Sequence, residues 1–88
     1  MSIYRAPVDE MLLVMQEIGN LDQIAGLPGY EDATSDLVAA ILAEASKLGT
    51  DVLDPINASG DVEGCVLENG VVRTPKGFKE AYQQFIEG

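Results

Sequence analysis

The chain has 88 residues, 15 acidic and 5 basic side chains, no histidine and a formal net charge of −10. Its length bounds it to one small domain, and its charge repels phosphate backbones and anionic membrane surfaces, which argues against nucleic acid as a partner. Without histidine no Ser-His-Asp or Cys-His arrangement can be built, and a single cysteine, Cys65, allows neither an internal disulfide nor a zinc site.

Residues 1–6 read as an extended lead-in with Ile3 and Tyr4 as apolar hooks. The opening MSIYRAPVDE has no basic stretch followed by a hydrophobic one, and no apolar run approaches membrane-spanning length. The expectation is a cytoplasmic protein without membrane insertion. Pro7 suits the first position of a helix, and Asp9 and Glu10 complement the positive end of its dipole, so a helix is predicted over 8–18. Its apolar residues cover more than one face, with Leu13 and Val14 lying away from Met11, Met15 and Ile18. Such a helix asks to be covered on two sides. Gly19 and Asn20 tolerate the left-handed conformation and supply the stop, and Leu21 to Ala25 can form a helical turn.

Gly26-Leu27-Pro28-Gly29-Tyr30 reads as a turn, since it has neither the GxGxxG spacing nor the GK[ST] ending of a phosphate loop. The longest periodic stretch follows. Leu37, Val38, Ile41, Leu42, Ala45, Leu48, Val52 and Leu53 recur at spacings of three and four, which predicts a helix over 35–53, about 28 Å long. Thr34 stands where a capping hydroxyl is expected, and Asp36 adds charge to the first turn. Gly49 within this helix costs about 1 kcal/mol relative to alanine, and close packing is one reason for it. Pro55 predicts an end or a kink near Asp54.

Asn57-Ala58-Ser59-Gly60-Asp61 reads as a polar loop. It matches a glycosylation triplet without a secretory signal, and a calcium loop only if Pro55 and Val66 take ligand positions, which they cannot. Asn69-Gly70 between two short apolar runs predicts a hairpin near 65–73 that pairs Val66 and Leu67 with Val71 and Val72 through a type I′ turn. Thr74-Pro75 resembles a cap followed by a first-turn proline and predicts a last helix over 76–87, with Phe78, Ala81, Tyr82, Phe85 and Ile86 on one stripe. Gly88 stands where a C-cap glycine would. The fold class is therefore mostly α, with three main helices and one short β-hairpin.

The residues themselves single out no catalytic, cofactor-binding or metal-binding position. A working general acid needs a carboxyl in an apolar pocket, and none of the 15 is marked as such by its neighbours. Cys65, with no basic neighbour to lower its pKa, reads as a small buried residue and not as a nucleophile.

YRAPVDEMLLVMQEIGNLDQIAGLPGYEDATSDLV, followed by VLDPINASGDVEGCVLENGVVRTPKGFKEAYQQF, resembles the N-terminal region of the flavin-dependent acyl-CoA dehydrogenases. It is most like the bacterial subgroup of 3-methylmercaptopropionyl-CoA dehydrogenases. The specific pieces are Tyr4-Arg5-Ala6-Pro7, Glu31-Asp32-Ala33-Thr34, Asp54-Pro55 with Gly60-Asp61, and Asn69-Gly70-Val71-Val72 leading to Pro75, Gly77 and Phe78. Ser35 departs from the pattern, which has proline there.

The resemblance implies a longer enzyme with an N-terminal helical domain, a middle β-domain and a C-terminal helical bundle. Such enzymes hold FAD mainly between the last two parts. A glutamate well downstream removes the α-proton, and the β-hydride passes to the flavin to give a 2,3-enoyl-CoA. Residues 1–88 would form the single N-terminal helical domain, walling the substrate side and supporting assembly of a homo-oligomer. Its partners would be the remaining domains and the acyl-CoA. No catalytic or flavin-contacting residue carries over, and no cofactor is expected on this chain alone. Two alternatives are a free-standing acidic carrier, for which Ser35-Asp36-Leu37 has the wrong order, and an adaptor that uses Leu13 and Val14 to bind a partner helix.

Overall fold

The computed structural model describes residues 3–88. In chain order the elements are α1 (Val8–Leu13), a π-helical turn (Val14–Ile18), α2 (Leu21–Ala25), α3 (Ser35–Leu48), a second π-helical turn (Gly49–Leu53), α4 (Asp54–Glu63), the strands β1 (Val66–Glu68) and β2 (Val71–Arg73), and α5 (Phe78–Glu87). The mostly α class, the three main helices and the hairpin are as the sequence implies. The described residues fall into two compact units, Arg5–Lys47 and Leu48–Gly88, the latter joined by Ile3 and Tyr4.

In the Arg5–Lys47 unit, Pro7 is the residue that caps α1 and does not enter it. Its ψ of 67° keeps it outside helical geometry while its carbonyl accepts the Met11 N–H at 3.0 Å. Helical bonding widens over Val14–Ile18 and closes when the Gly19 N–H reaches the Val14 carbonyl at 2.9 Å. Asn20, with φ of 53°, takes the left-handed conformation, while Gly19 stays right-handed. That reversal starts α2, whose first residue, Leu21, is buried. Thr34 caps α3 as its position implies, its hydroxyl oxygen accepting the Leu37 N–H at 3.3 Å. Such a cap is worth about 1 kcal/mol. α3 carries no buried residue: Val38 and Leu42 are half-buried, and Leu37 and Ile41 are exposed.

The unit that begins at Leu48 departs from expectation at Pro55. Helical residues continue past it to Glu63, so residues 57–61 lie in α4 and not in a loop. Two features permit this. The Asp54 N–H bonds back to the Gly49 carbonyl, five residues away, which shifts the ladder out of α register just before Pro55. Pro55 then occupies the first turn of α4, where a missing N–H costs nothing. Tyr4 clasps the widened turn: its N–H donates to Asp54 Oδ2 at 3.0 Å and its carbonyl accepts the Thr50 hydroxyl at 2.8 Å. A Cβ at Gly49 would stand 3.1 Å from the Tyr4 ring, so the close approach at this glycine is to the lead-in segment.

The hairpin forms with Leu67 opposite Val72, Val66 opposite Arg73 and Glu68 opposite Val71. Asn69 and Gly70 have φ of 50° and 78°, the two left-handed residues of a type I′ turn. α5 begins later than residue 76. The Glu63 carboxylate accepts the Lys76 N–H at 2.6 Å, and Gly77, with φ of 94°, cannot be helical, so Gly77 and not Thr74 is the cap residue. Phe78 then packs so closely on the buried Gly60 that an added Cβ would lie 2.6 Å from its ring.

Gly60→Ala is therefore expected to destabilise the chain by about 1 kcal/mol, the overpacking outweighing the better helix propensity of alanine. In a Phe78→Ala background the sign should reverse to a gain of about 1 kcal/mol, because only the propensity difference is left. Denaturant unfolding of the four proteins measures both values, and equal effects of Gly60→Ala in the two backgrounds would contradict the contact.

Candidate functional site

A groove lies wholly in the Leu48–Gly88 unit. Leu48, Leu53, Ile56 and Asn57 line one wall, and Phe78, Ala81, Tyr82 and Phe85 of α5 line the other. The α5 residues recur at i, i+3, i+4 and i+7, so one face of this helix supplies the wall. The opposite wall exists because helical bonding continues from Leu53 into α4, which brings Ile56 and Asn57 onto the same side as Leu48 and Leu53. The groove is open and encloses about 340 Å³, near the lower end of the range for small-molecule sites.

Its chemistry is that of an apolar surface with two polar handles, the Asn57 amide and the Tyr82 hydroxyl. No carboxylate, amine or thiol is among the lining residues. It can bury apolar surface. Ala81 is 4% exposed at its floor, but Tyr82 and Phe85 remain 65% and 63% exposed, and their rings stand 6.4 Å apart at a tilt.

Exposed apolar surface extends beyond the groove. Leu13 and Val14 are 59% and 52% exposed, as the two-faced first helix implies. Both faces of the hairpin are open, Leu67 and Val72 on one and Val66 and Val71 on the other. Leu21 and Ala81 are the buried hydrophobic residues among those described. Cys65 is exposed, contrary to its reading as a buried residue, because it leads into a hairpin whose strand residues are all exposed.

Apart from the half-buried Asp54, the acidic residues are exposed. Glu68 pairs with Arg73 across the hairpin at 2.8 Å and Glu44 with Lys47 along α3 at 3.1 Å, both largely exposed and so worth little. Glu31 has its pKa lowered below the ordinary value of 4.5 by hydrogen bonds from its own backbone N–H and from that of Gly29, the latter at 3.2 Å. No cluster of three potential metal ligands occurs among the described residues. Ile56 and Asn57 are the groove residues the sequence reading missed. The signal for them was the tolerance of helices for proline in the first turn, which makes Pro55 a start as readily as a stop.

The described residues thus form a mostly helical piece with a hairpin and broad exposed apolar faces. Its sequence is similar to a stretch of one curated dehydrogenase. It is 33% identical over 84 residues to the 3-methylmercaptopropionyl-CoA dehydrogenase of Ruegeria pomeroyi, an alignment that covers 96% of this chain. The chain spans 14% of the length of that curated relative. No family model matches the chain. The family resemblance read from the motifs thus agrees with an alignment along nearly the whole chain. No helix of the described residues is long and apolar enough to cross a membrane.

The lowered pKa of Glu31 has a definite sign. Its hydrogen-bonded carboxylate stabilises the 29–31 turn fully above the ordinary carboxylate pKa, and the contribution is lost as pH falls through the lowered folded value. In a chemical-shift titration Glu31 should show a midpoint below 4.5, and Glu31→Gln should remove the pH dependence of the Gly29 amide shift in that range. A midpoint at or above the ordinary value would contradict the bond.

Proposed function

We propose that this chain is the N-terminal helical domain of an acyl-CoA dehydrogenase, with residues 1–88 folding as one part of that enzyme. The observation that carries the reading is 33% identity along 96% of the chain to a dehydrogenase of which it spans only 14%. The exposed groove and hairpin support it, since faces of this kind suit a segment that is completed by further structure. In this reading the parent oxidises an acyl-CoA to the 2,3-enoyl-CoA, and FAD, when bound, accepts the hydride. The domain walls the substrate side and supports assembly, and the parent works in the cytoplasm as a homo-oligomer.

The residues of this chain do not fit the flavin dinucleotide. The groove lining carries no cationic side chain and no glycine-rich turn to meet a pyrophosphate, and the chain bears a charge of −10. FAD is accordingly assigned to the rest of the parent. The adaptor reading keeps one observation in its favour, the exposure of Leu13 and Val14 in the described structure.

The test compares this chain with the full-length protein encoded by its reading frame. The 88-residue chain should bind neither FAD nor an acyl-CoA in a calorimetric titration, while the full-length protein should carry FAD that bleaches when an acyl-CoA is added. Tight flavin binding by the short chain, or a reading frame without a flavin-binding part, would overturn the proposal.

A further inference from the structure

The tip of the hairpin carries a chemical feature independent of the dehydrogenase reading. Of the three asparagines, Asn20 precedes the buried Leu21 and Asn57 lies in α4 before Ala58, whereas Asn69 precedes Gly70. Asn69 and Gly70 are both exposed, and no heavy atom from elsewhere in the described chain lies within 4 Å of where a Gly70 Cβ would stand. The Gly70 N–H has no partner among the backbone and side-chain hydrogen bonds of the described turns and loops. The hairpin has two strands of three residues, all exposed, so it opens at little cost.

We propose that Asn69 is a site of spontaneous deamidation and backbone isomerisation, with water as the only co-reactant. Once hydroxide has removed the Gly70 amide proton, that nitrogen attacks the Asn69 side-chain carbonyl carbon. The N–Cγ bond forms, the bond from Cγ to the amide nitrogen breaks, and ammonia leaves with the proton that balances the loss. The product is a five-membered imide. Water then adds to one of its two carbonyls, the bond from that carbon to the Gly70 nitrogen breaks, and the nitrogen regains a proton. Addition at Cγ restores the ordinary backbone with an aspartate, and addition at the backbone carbonyl leaves Gly70 linked through Cγ as an isoaspartate. No atom changes oxidation state. Glycine favours the first step, because it puts no side chain in the path of ring closure.

The consequence is local and structural. Either product adds a negative charge to an already acidic chain, and the isoaspartate also adds a methylene to the main chain. A two-residue I′ loop cannot hold that extra atom and keep Glu68 opposite Val71. The modified hairpin therefore loses its register, and the four valine and leucine side chains it displays lose their fixed arrangement.

The experiment incubates the 88-residue chain at mildly alkaline pH and follows each asparagine by peptide mapping with mass and linkage analysis. Asn69 should show the mass gain of an amide-to-acid exchange, with both linkages present and a rate rising with hydroxide concentration. Asn20 and Asn57 should remain amides until half of Asn69 is lost, and Asn69→Gln should leave the 65–73 peptide unchanged over the same period. Conversion at Asn69 no faster than at the other two, or a product with aspartate alone, would overturn the proposal.

Discussion

The Leu48–Gly88 unit is built around the widened helical turn at Gly49–Leu53. Shifting the Asp54 N–H to the Gly49 carbonyl lets helical structure pass Pro55, and that passage places Ile56, Asn57 and Gly60 where α5 can meet them. Tyr4 holds the turn by two hydrogen bonds and by its ring against Gly49. Neutral hydrogen bonds contribute about 1 kcal/mol each and those to a carboxylate about twice that, so this clasp is a substantial share of the stability of a small unit. Without the shift, a proline at this position would end the helix and the groove would lose one wall.

What the unit then builds is unusually open. α5 has a clear apolar stripe, yet Ala81 alone of that stripe is buried, and Phe78, Tyr82, Phe85 and Ile86 keep a third or more of their surface in solvent. Burial of a side chain such as Phe or Ile is worth about 1.5–3 kcal/mol. A sequence that retains such residues at helical spacing while exposing them is consistent with a face meant to be covered. Similarity to one seventh of a much longer dehydrogenase supplies a physical reason for the pattern, since the rest of such an enzyme could provide the cover. The negative charge is compatible with this, because every acidic residue but the half-buried Asp54 is exposed and none lines the groove.

Much of the architecture was legible in the residues, for reasons that were local. Apolar spacing marked the helices, Thr34 capped α3 where its hydroxyl implied, and Asn69-Gly70 formed the I′ turn that only two left-handed residues allow. The errors came where tertiary partners decide. Asn57-Ala58-Ser59-Gly60-Asp61 has the composition of a loop, and it is helical because Gly60 gives room for the Phe78 ring and the π turn admits Pro55. Thr74-Pro75 has the form of a helix start, but Glu63 takes the Lys76 N–H and Gly77 becomes the cap. Cys65 has the residue type of a buried position, whereas its exposure follows from a hairpin with both faces open. The groove was half legible: the α5 wall is a periodic stripe, while the wall from Leu48 to Asn57 depends on the helix passing Pro55.

We propose that the exposed apolar face of α5 is covered by the remaining domains of the parent enzyme. Amide hydrogen exchange measures that directly, because protection reports how often a helix opens. Fast exchange is expected at Ala81 to Ile86 in the 88-residue chain, with strong protection of the same amides in the full-length protein. Equal protection in both would contradict it, since α5 would then need no cover beyond the chain that carries it.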